Sequence, residues 1–327
     1  MSSAGRGWSL AVALGALALV PGQARGQDLS DLFSSCGVTS PAHLSWCRET
    51  ALAAQAAQGA LGLAASGGID LPGSASTLGW RTKGSPRFAL SFWGSLTRAP
   101  FPAMTVEDGS PRGETTATLP ALHLSATAGL FDGFSLGPTV GGFGSIDLSV
   151  TSQYIWTPKD RGFNDHGIGW GAGARIGILR ESFSLPGLSI SGFHRFGGSH
   201  ELWDVAAGDP SAATFDLETS SLRGLLGKDL WGVGLTVGVG WDRYGGEVAV
   251  NILDPQGGGS DDSGEGRLES ERYLGFLGAS RTFLTFQVSG ELGWAEGFES
   301  TLPLSGQGGF DPAGPSFFGS LALRLTF

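Results

Sequence analysis

The chain has 327 residues, with 30 acidic against 20 basic side chains, a formal net charge of −10 and 56 glycines. It carries no basic cluster, which excludes the cationic footprint of a nucleic-acid binder. After the first twenty residues no stretch approaches the ~18–20 apolar residues of a membrane-crossing helix, so a helical membrane protein is excluded. Glycine is far above the ~7% of ordinary globular chains, yet it follows no triplet repeat.

Taken in chain order, the first 26 residues read as a secretory signal. Arg6 supplies the positive start and Ser9 to Val20 an apolar run too short to span a bilayer. Pro21-Gly22 breaks that run, and Ala24-Arg25-Gly26 offers a small-x-small cleavage site. Removal of 1–26 takes Arg6 and Arg25 away and leaves 18 basic against 30 acidic residues, a formal −12. Residues 27–56 form a separate segment. Cys36 and Cys47 are its only cysteines, and in an exported chain they are expected to form one disulfide. Ser40-Pro41 suits a helix start, with Ser as N-cap and Pro at the first helical position. The Ala-rich run to about Gln58 has high helix propensity. This segment is expected either to plug a barrel or to cap it from the periplasmic side.

From residue 57 to 327 the hydrophobic period is two. Strands are expected near 57–66, 76–82, 87–98, 118–130, 139–154, 167–180, 187–196, 214–227, 231–244, 267–281, 284–294 and 316–327. That is twelve, with ten as the fallback because the first two are weakly patterned. Short links at Thr82–Pro86, Phe131–Pro138, Glu181–Pro186, Lys228–Leu230 and Thr282–Phe283 alternate with long ones at 99–117, 155–166, 197–213, 245–266 and 295–315. Aromatics gather at both ends of the strands: Tyr154, Trp156, Trp170, Phe196, Trp241, Tyr244, Tyr273 and Trp294 at one level, Phe131, Phe134, Phe183, Trp231, Phe283 and Phe327 at the other. An even strand count, short turns opposite long loops and two aromatic girdles together predict an all-β, antiparallel, up-and-down transmembrane barrel.

The last strand, Leu321-Ala322-Leu323-Arg324-Leu325-Thr326-Phe327, has one apolar face and one polar face and stops on an aromatic. It resembles the closing strand of bacterial outer-membrane β-barrels. That resemblance implies residence in the outer membrane and recognition of the terminal strand, Phe327 included, by the barrel-assembly machinery. A helical segment ahead of a barrel is also similar, in architecture alone, to outer-membrane transporters of hydrophobic compounds; no substrate-site motif of those transporters is present.

Alternation separates lipid from lumen. In 231–244, Val233, Leu235, Val237, Val239 and Trp241 are expected to face lipid, with Gly232, Gly234, Thr236, Gly238, Gly240 and Asp242 inward. In 167–180 a stripe of Gly167, Gly169, Gly171, Gly173 and Gly177 with Arg175 faces inward. Strand 267–281 is mixed on both faces. Glycine stripes leave lumen space for water, for large inward groups such as Trp93 and Phe193, or for the N-terminal segment. His123, Asp147, Arg175, Arg195, Arg223, Asp242, Glu291 and Arg324 are expected to form an inward charged set. His123 should lie opposite Ser145 or Asp147, and Asp147 near Arg175. Such a set either holds a narrow wall together or tunes a channel.

A lipid-acting hydrolase would need a positioned base and an orienting partner. His123 has Ser125 on its face, His194 adjoins Arg195, and His166 and His200 fall in loops, without a catalytic motif around any of them. The acidic stretch Gln256–Gly266 holds one imperfect copy of a Gly/Asp repeat, too little for a calcium site. No cofactor or metal is implied. The expected function is a conduit for small molecules across the outer membrane. The alternative is a closed structural or interaction barrel working through its loops, and a hydrolase comes third.

Overall fold

A computed structural model describes residues 32, 34–36, 41–79, 85–102, 113–137, 140–207, 209, 211–252, 262–298 and 310–327. The signal peptide expected over 1–26 and the N-cap at 40 lie outside the described residues. One long helix, α1 (Pro41–Ser66), precedes the strands β1 (Phe88–Pro102), β2 (Glu114–Phe131), β3 (Ser145–Ile155), β4 (Gly167–Leu179), β5 (Gly187–Leu202), β6 (Ser211–Leu230), β7 (Val233–Ile252), β8 (Asp262–Phe283), β9 (Phe286–Ala295) and β10 (Ser316–Thr326). These ten strands, counted among the described residues, pair in sequence order and close antiparallel between β1 and β10. At the seam the Phe327 amide donates to the Phe88 carbonyl at 2.8 Å, and the Phe88 amide donates back at 3.2 Å. The C-terminal aromatic is therefore the last rung of the ladder.

Ten strands, the fallback count, replace the expected twelve. Residues 57–66 are the second half of α1, and 76–79 are irregular chain held inside the wall. The remainder of 76–82 lies outside the described residues. The expected boundary between the N-terminal segment and the barrel at 57 thus falls inside a helix, and the wall begins only at Phe88. The cause is burial on every side. From Ala51 to Ala65 α1 meets protein all round, so no single face is marked by either a 3.6 or a 2.0 period. Helix propensity then decides, because Ala and Leu dominate. Gly67 donates to the Leu63 carbonyl and Gly68 takes φ +92°, the left-handed step that ends a helix without steric cost at glycine.

The connection between β2 and β3 is longer than the expected link 131–138. Residues 132–137 and 140–144 lie against each other through bridges at Phe134↔Phe143 and Gly137↔Val140, so β3 starts at Ser145 rather than 139. At the same end, two-residue turns join β6 to β7 and β8 to β9. Trp231 and Gly232 both have positive φ there, as a tight hairpin turn requires.

Strands β6, β7 and β8 run 20, 20 and 22 residues, about twice the ~9–11 that cross a bilayer. Their alternation changes sign part-way. In lower β7, Val233, Leu235, Val237 and Val239 are exposed on the outside, while Thr236 and Asp242 are buried inside. Above Trp241 the outside carries Arg243, Glu247 and Asn251, and the inside carries Tyr244, Val248, Val250 and Ile252. Arg243 pairs with Glu269, and Arg267 with Glu218 at 3.4 Å, on this upper outer wall. The lower wall therefore faces lipid and the upper wall faces water. Exposed Trp156, Trp170, Phe196, Tyr273, Trp294 and Phe317 mark the boundary; Phe88, Phe131, Phe134, Phe183, Trp231, Phe283 and Phe327 mark the other edge. Tyr244, expected in the upper girdle, instead points inward and is fully buried. The same inversion explains the mixed faces of 267–281. Tyr273 and Leu277 face out, whereas Leu268, Leu274 and Phe276 are buried against the interior.

A charge on each side of that boundary tests it. Val237→Arg should cost roughly 2–4 kcal/mol, because it places a cation on the lipid face near mid-membrane. Asn251→Arg, on the water-facing extension, should stay within about ±0.5 kcal/mol. Reversible unfolding from lipid vesicles measures both, and equal losses would contradict the placement of the boundary.

Candidate functional site

The interior of the barrel is occupied by the chain's own residues 46–79. In the upper half the contact is apolar. Trp46, Leu52, Leu61 and the alanines of α1 pack with Phe101, Leu119, Ile155, Phe163, Leu202, Phe215, Leu217 and Val250 of the wall and its loops. Cys36 and Cys47 are disulfide-bonded at the top of this packing. Glycine lets the helix approach: a Cβ on Gly62 would overlap the Tyr244 ring, and one on Gly59 the Phe298 ring.

In the lower half the contact is polar, and the expected charged set is found here. His123, Asp147, Arg175, Arg195, Arg223, Asp242, Glu291 and Arg324 all point inward. Arg223 and Asp242 make a two-pronged pair, Nη1 to Oδ1 at 2.6 Å and Nη2 to Oδ2 at 3.1 Å. Both side chains are fully buried. Asp242 Oδ2 also accepts from the hydroxyls of Ser66 and Tyr244, each at 2.8 Å. Arg223 Nη2 donates to the Ser66 carbonyl at 2.8 Å and Nε to that of Gly68 at 3.4 Å. A cation is thus set against the end carbonyls of α1, which have no partner within the helix.

The irregular stretch below α1 is satisfied one peptide group at a time. Arg195 pairs with Asp70 of this stretch. Glu291 accepts from the Ile69 amide at 3.2 Å, and Asp147 from the Leu78 amide at 2.9 and 3.1 Å. Arg324 donates to the Pro72 carbonyl at 3.0 Å and Arg175 to that of Ser74 at 2.8 Å. Gln287 and Ser280 both donate to the Gly73 carbonyl, at 2.9 and 3.0 Å. Buried backbone groups without partners would each carry a large desolvation cost. The wall supplies those partners with long side chains.

Asp147 and Arg175 are directly opposite each other, on one face, as expected. His123 does not join them. Its cross-strand partner is Gln153, with Gly129 opposite Asp147; the longer 132–144 connection displaces the register. His123 instead stacks on Trp93, ring centroids 4.8 Å apart, with Nε2 3.0 Å from the Ser95 hydroxyl. No acid orients this pair among the described residues, and Nδ1 has no hydrogen-bond partner there. His194 meets the Ser220 hydroxyl at 2.9 Å, on the outward side of the ladder.

Sequence reasoning missed Arg272, Tyr244, Ser66 and Asp70. Arg272 is buried with its guanidinium 4.1 Å from the Phe298 ring centroid and 5.2 Å from that of Tyr244. Its place on the even-numbered face of β8, in phase with Ser280, was the available signal. The glycine stripes have a use the sequence did not reveal. A Cβ at Gly171, Gly173, Gly238 or Gly240 would strike the side chain of Arg195, Phe193, Phe276 or Arg223 respectively. Glycine on one strand is the slot in which a large inward side chain of the next strand lies flat.

Three clefts lie away from α1: one of about 970 Å³ at the turn end, lined by Ser76–Leu78 with Arg87, Arg180, Phe183 and Trp231, one of about 520 Å³ on the polar upper wall, and one of about 1320 Å³ on the lipid-facing wall. None of these three is lined by α1.

No protein-family model matches the sequence, and no curated protein matches it either. Among solved structures, the translocator domain of the autotransporter NalP from Neisseria meningitidis is similar at 12% identity over 85% of this chain and 99% of that one, with a TM-score of 0.42. The outer membrane protease OmpT from Escherichia coli is similar at 11% identity over 78% of this chain and 100% of that one, with a TM-score of 0.37. The TodX monoaromatic hydrocarbon channel, in a mutant form, is similar at 13% identity over 74% of this chain and 67% of that one, with a TM-score of 0.33. No residue role passes from any of them to this chain.

Arg223→Ala should cost about 3–5 kcal/mol, because it leaves Asp242 as a buried charge without its ionic partner. Replacing both at once, Arg223→Met with Asp242→Leu, should cost clearly less than the sum of the two single changes. Denaturant unfolding of the four proteins in lipid vesicles gives the coupling; additive losses would mean that the pair does not act as a unit.

Proposed function

We propose that this chain is an outer-membrane barrel closed by its own N-terminal segment, a structural or interaction barrel whose working surface is the loop end. One observation carries the reading. Ionisable side chains that could have lined a pore are engaged with α1 and with the peptide groups of 66–78. Space left by the glycine stripes is taken by neighbouring wall side chains and the helix. A conduit for small molecules, the reading that the glycine stripes suggest in sequence, would require this segment to leave the lumen. That route stays open chemically, since hydrogen bonds, ion pairs and apolar packing hold the segment inside the wall.

No catalytic role is proposed: the Ser95–His123 pair lies under Trp93, without an orienting acid among the described residues. Phe327, which completes the seam with Phe88, is proposed as the residue through which the assembly machinery reads the final strand.

Planar-bilayer recording separates the two readings. The full chain should show no steady single-channel steps. Gly59→Leu with Gly62→Leu forces α1 away from Phe298 and Tyr244, and should produce steps while the barrel keeps its heat-modifiable migration. Open steps from the unaltered chain would overturn the closed reading and favour the conduit.

A further inference from the structure

The cleft at the turn end takes no part in closing the lumen, and its lining describes what would enter it. The residues around it come from opposite sides of the wall. Arg87 directly precedes β1, Arg180 and Phe183 lie in the β4–β5 turn, and Lys228 and Trp231 belong to the β6–β7 hairpin. In the closed ring, β6 stands opposite β1. Ser76–Leu78, the downstream end of the plug, forms the ceiling. The cleft is therefore the mouth of the barrel below its plug, and it opens away from the bilayer. Short turns of such barrels face the periplasm, so its occupant arrives through water from that side.

Charge narrows the choice of occupant. The lining holds three cations, Arg87, Arg180 and Lys228, and three carboxylates, Asp132, Glu181 and Asp229. Lys228 is spent on the carbonyls of Ser182, Phe183 and Leu185. The two guanidiniums keep donors in reserve. Arg180 meets Asp132 through Nη2 alone, and Arg87 makes one long bond, 3.4 Å to the Leu78 carbonyl. Such forks accept a carboxylate or a phosphate. A lining with as many carboxylates as cations repels a polyanion, and Glu181 and Asp229 offer acceptors to an ammonium group, so complementarity favours a zwitterion.

The third component is a ring face. Phe183 and Trp231 are wholly exposed beside the cleft. Trp231 has φ +56°, a conformation that bulky side chains rarely adopt and that Asn or Gly fills with less strain. An indole held there packs against nothing in the fold, and its face is offered to an apolar partner. We infer that the mouth binds the peptide of the periplasmic cell wall, a short chain with free carboxylates and a free amine borne on sugar rings. Carboxylates meet Arg87 and Arg180, the amine meets Glu181 and Asp229, and the C–H faces of the sugar meet Trp231 and Phe183. The barrel then has a further activity: it ties the outer membrane to the wall beneath it. This goes beyond the closed-lumen reading and shares with it only the ceiling, and its test reads binding rather than conductance.

The full chain in lipid nanodiscs is titrated calorimetrically with a disaccharide-peptide released from purified cell wall. Saturable binding is expected, and inorganic phosphate should not displace the fragment. Amidating its carboxylates should abolish binding, and acetylating its amine should weaken it. Arg87→Ala with Arg180→Ala should weaken binding by about tenfold or more. Trp231→Asn should also weaken it about tenfold, while the barrel keeps its heat-modifiable migration, because Asn suits the turn. Leu284→Asn makes the same change at φ +55° in the neighbouring turn, outside the cleft, and should leave binding unaltered. No saturable binding at millimolar fragment would overturn the inference. So would displacement by phosphate, or equal losses from Trp231→Asn and Leu284→Asn. Equal binding of a sugar-free linear peptide with free ends would overturn the cell-wall assignment in favour of a protein terminus. A conducting channel that still binds the fragment would sink the closed-lumen reading alone, and a silent channel without binding would sink this inference alone.

Discussion

Everything in this molecule depends on the mutual fit between a closed ladder and the backbone enclosed by it. Ten strands satisfy one another's peptide groups apart from three local register shifts, which is what a lipid-facing wall demands. The stretch from Gly67 to Gly79 has neither helix nor ladder to do so, yet it runs through the interior. Arg223, Glu291, Arg324, Arg175, Asp147 and Gln287 meet its amides and carbonyls instead. Buried ionisable residues are costly unless paired and hydrogen-bonded. Here Arg223 with Asp242 and Arg195 with Asp70 are paired, and the others are hydrogen-bonded to the enclosed backbone, because a wall built at two-residue period can place one long side chain at nearly every level of the descending chain.

The second organising feature is the inversion of polarity at the upper girdle. Below it, apolar side chains point out to lipid and polar ones in; above it, the order is reversed. The upper extension behaves as a water-soluble β-structure with its core inside, and α1 completes that core. One helix therefore serves two solvents. From Trp46 it packs in an apolar chamber above the membrane, and its last turn is capped by Arg223 at membrane depth.

Charge and glycine, the two features that suggest a channel in a barrel sequence, have other uses here. Glycine on β4 and β7 makes room for Phe193, Arg195, Phe276 and Arg223 from adjoining strands. The ionisable groups hold a segment in place. Closure by a tethered segment also gives the barrel a direction, since the segment's upstream end is at the loops and its downstream end joins β1 at the turns.

The sequence by itself determined the wall. Alternation in most strands, most girdle positions and the inward direction of all eight charged or imidazole positions are local, because a two-residue period assigns each side chain to a face without knowledge of its neighbours; β8, with its mixed faces, the inward Tyr244 and the upper strand residues 245–252 and 262–266, expected as a loop, were not read this way. The opposition of Asp147 and Arg175 was legible too, since β3 and β4 are adjacent and the length of 156–166 sets their register. Tertiary structure alone decided what fills the barrel. Residues 57–66 are buried on every side, so their period is silent and they passed for a strand. His123 was placed six or eight residues away from its true partner Gln153, because the folded-back 132–144 connection was invisible as such. The partners of Arg175, Arg324 and Glu291 are backbone groups, which have no signature in sequence. Their pairing exists only once the wall has closed around the chain.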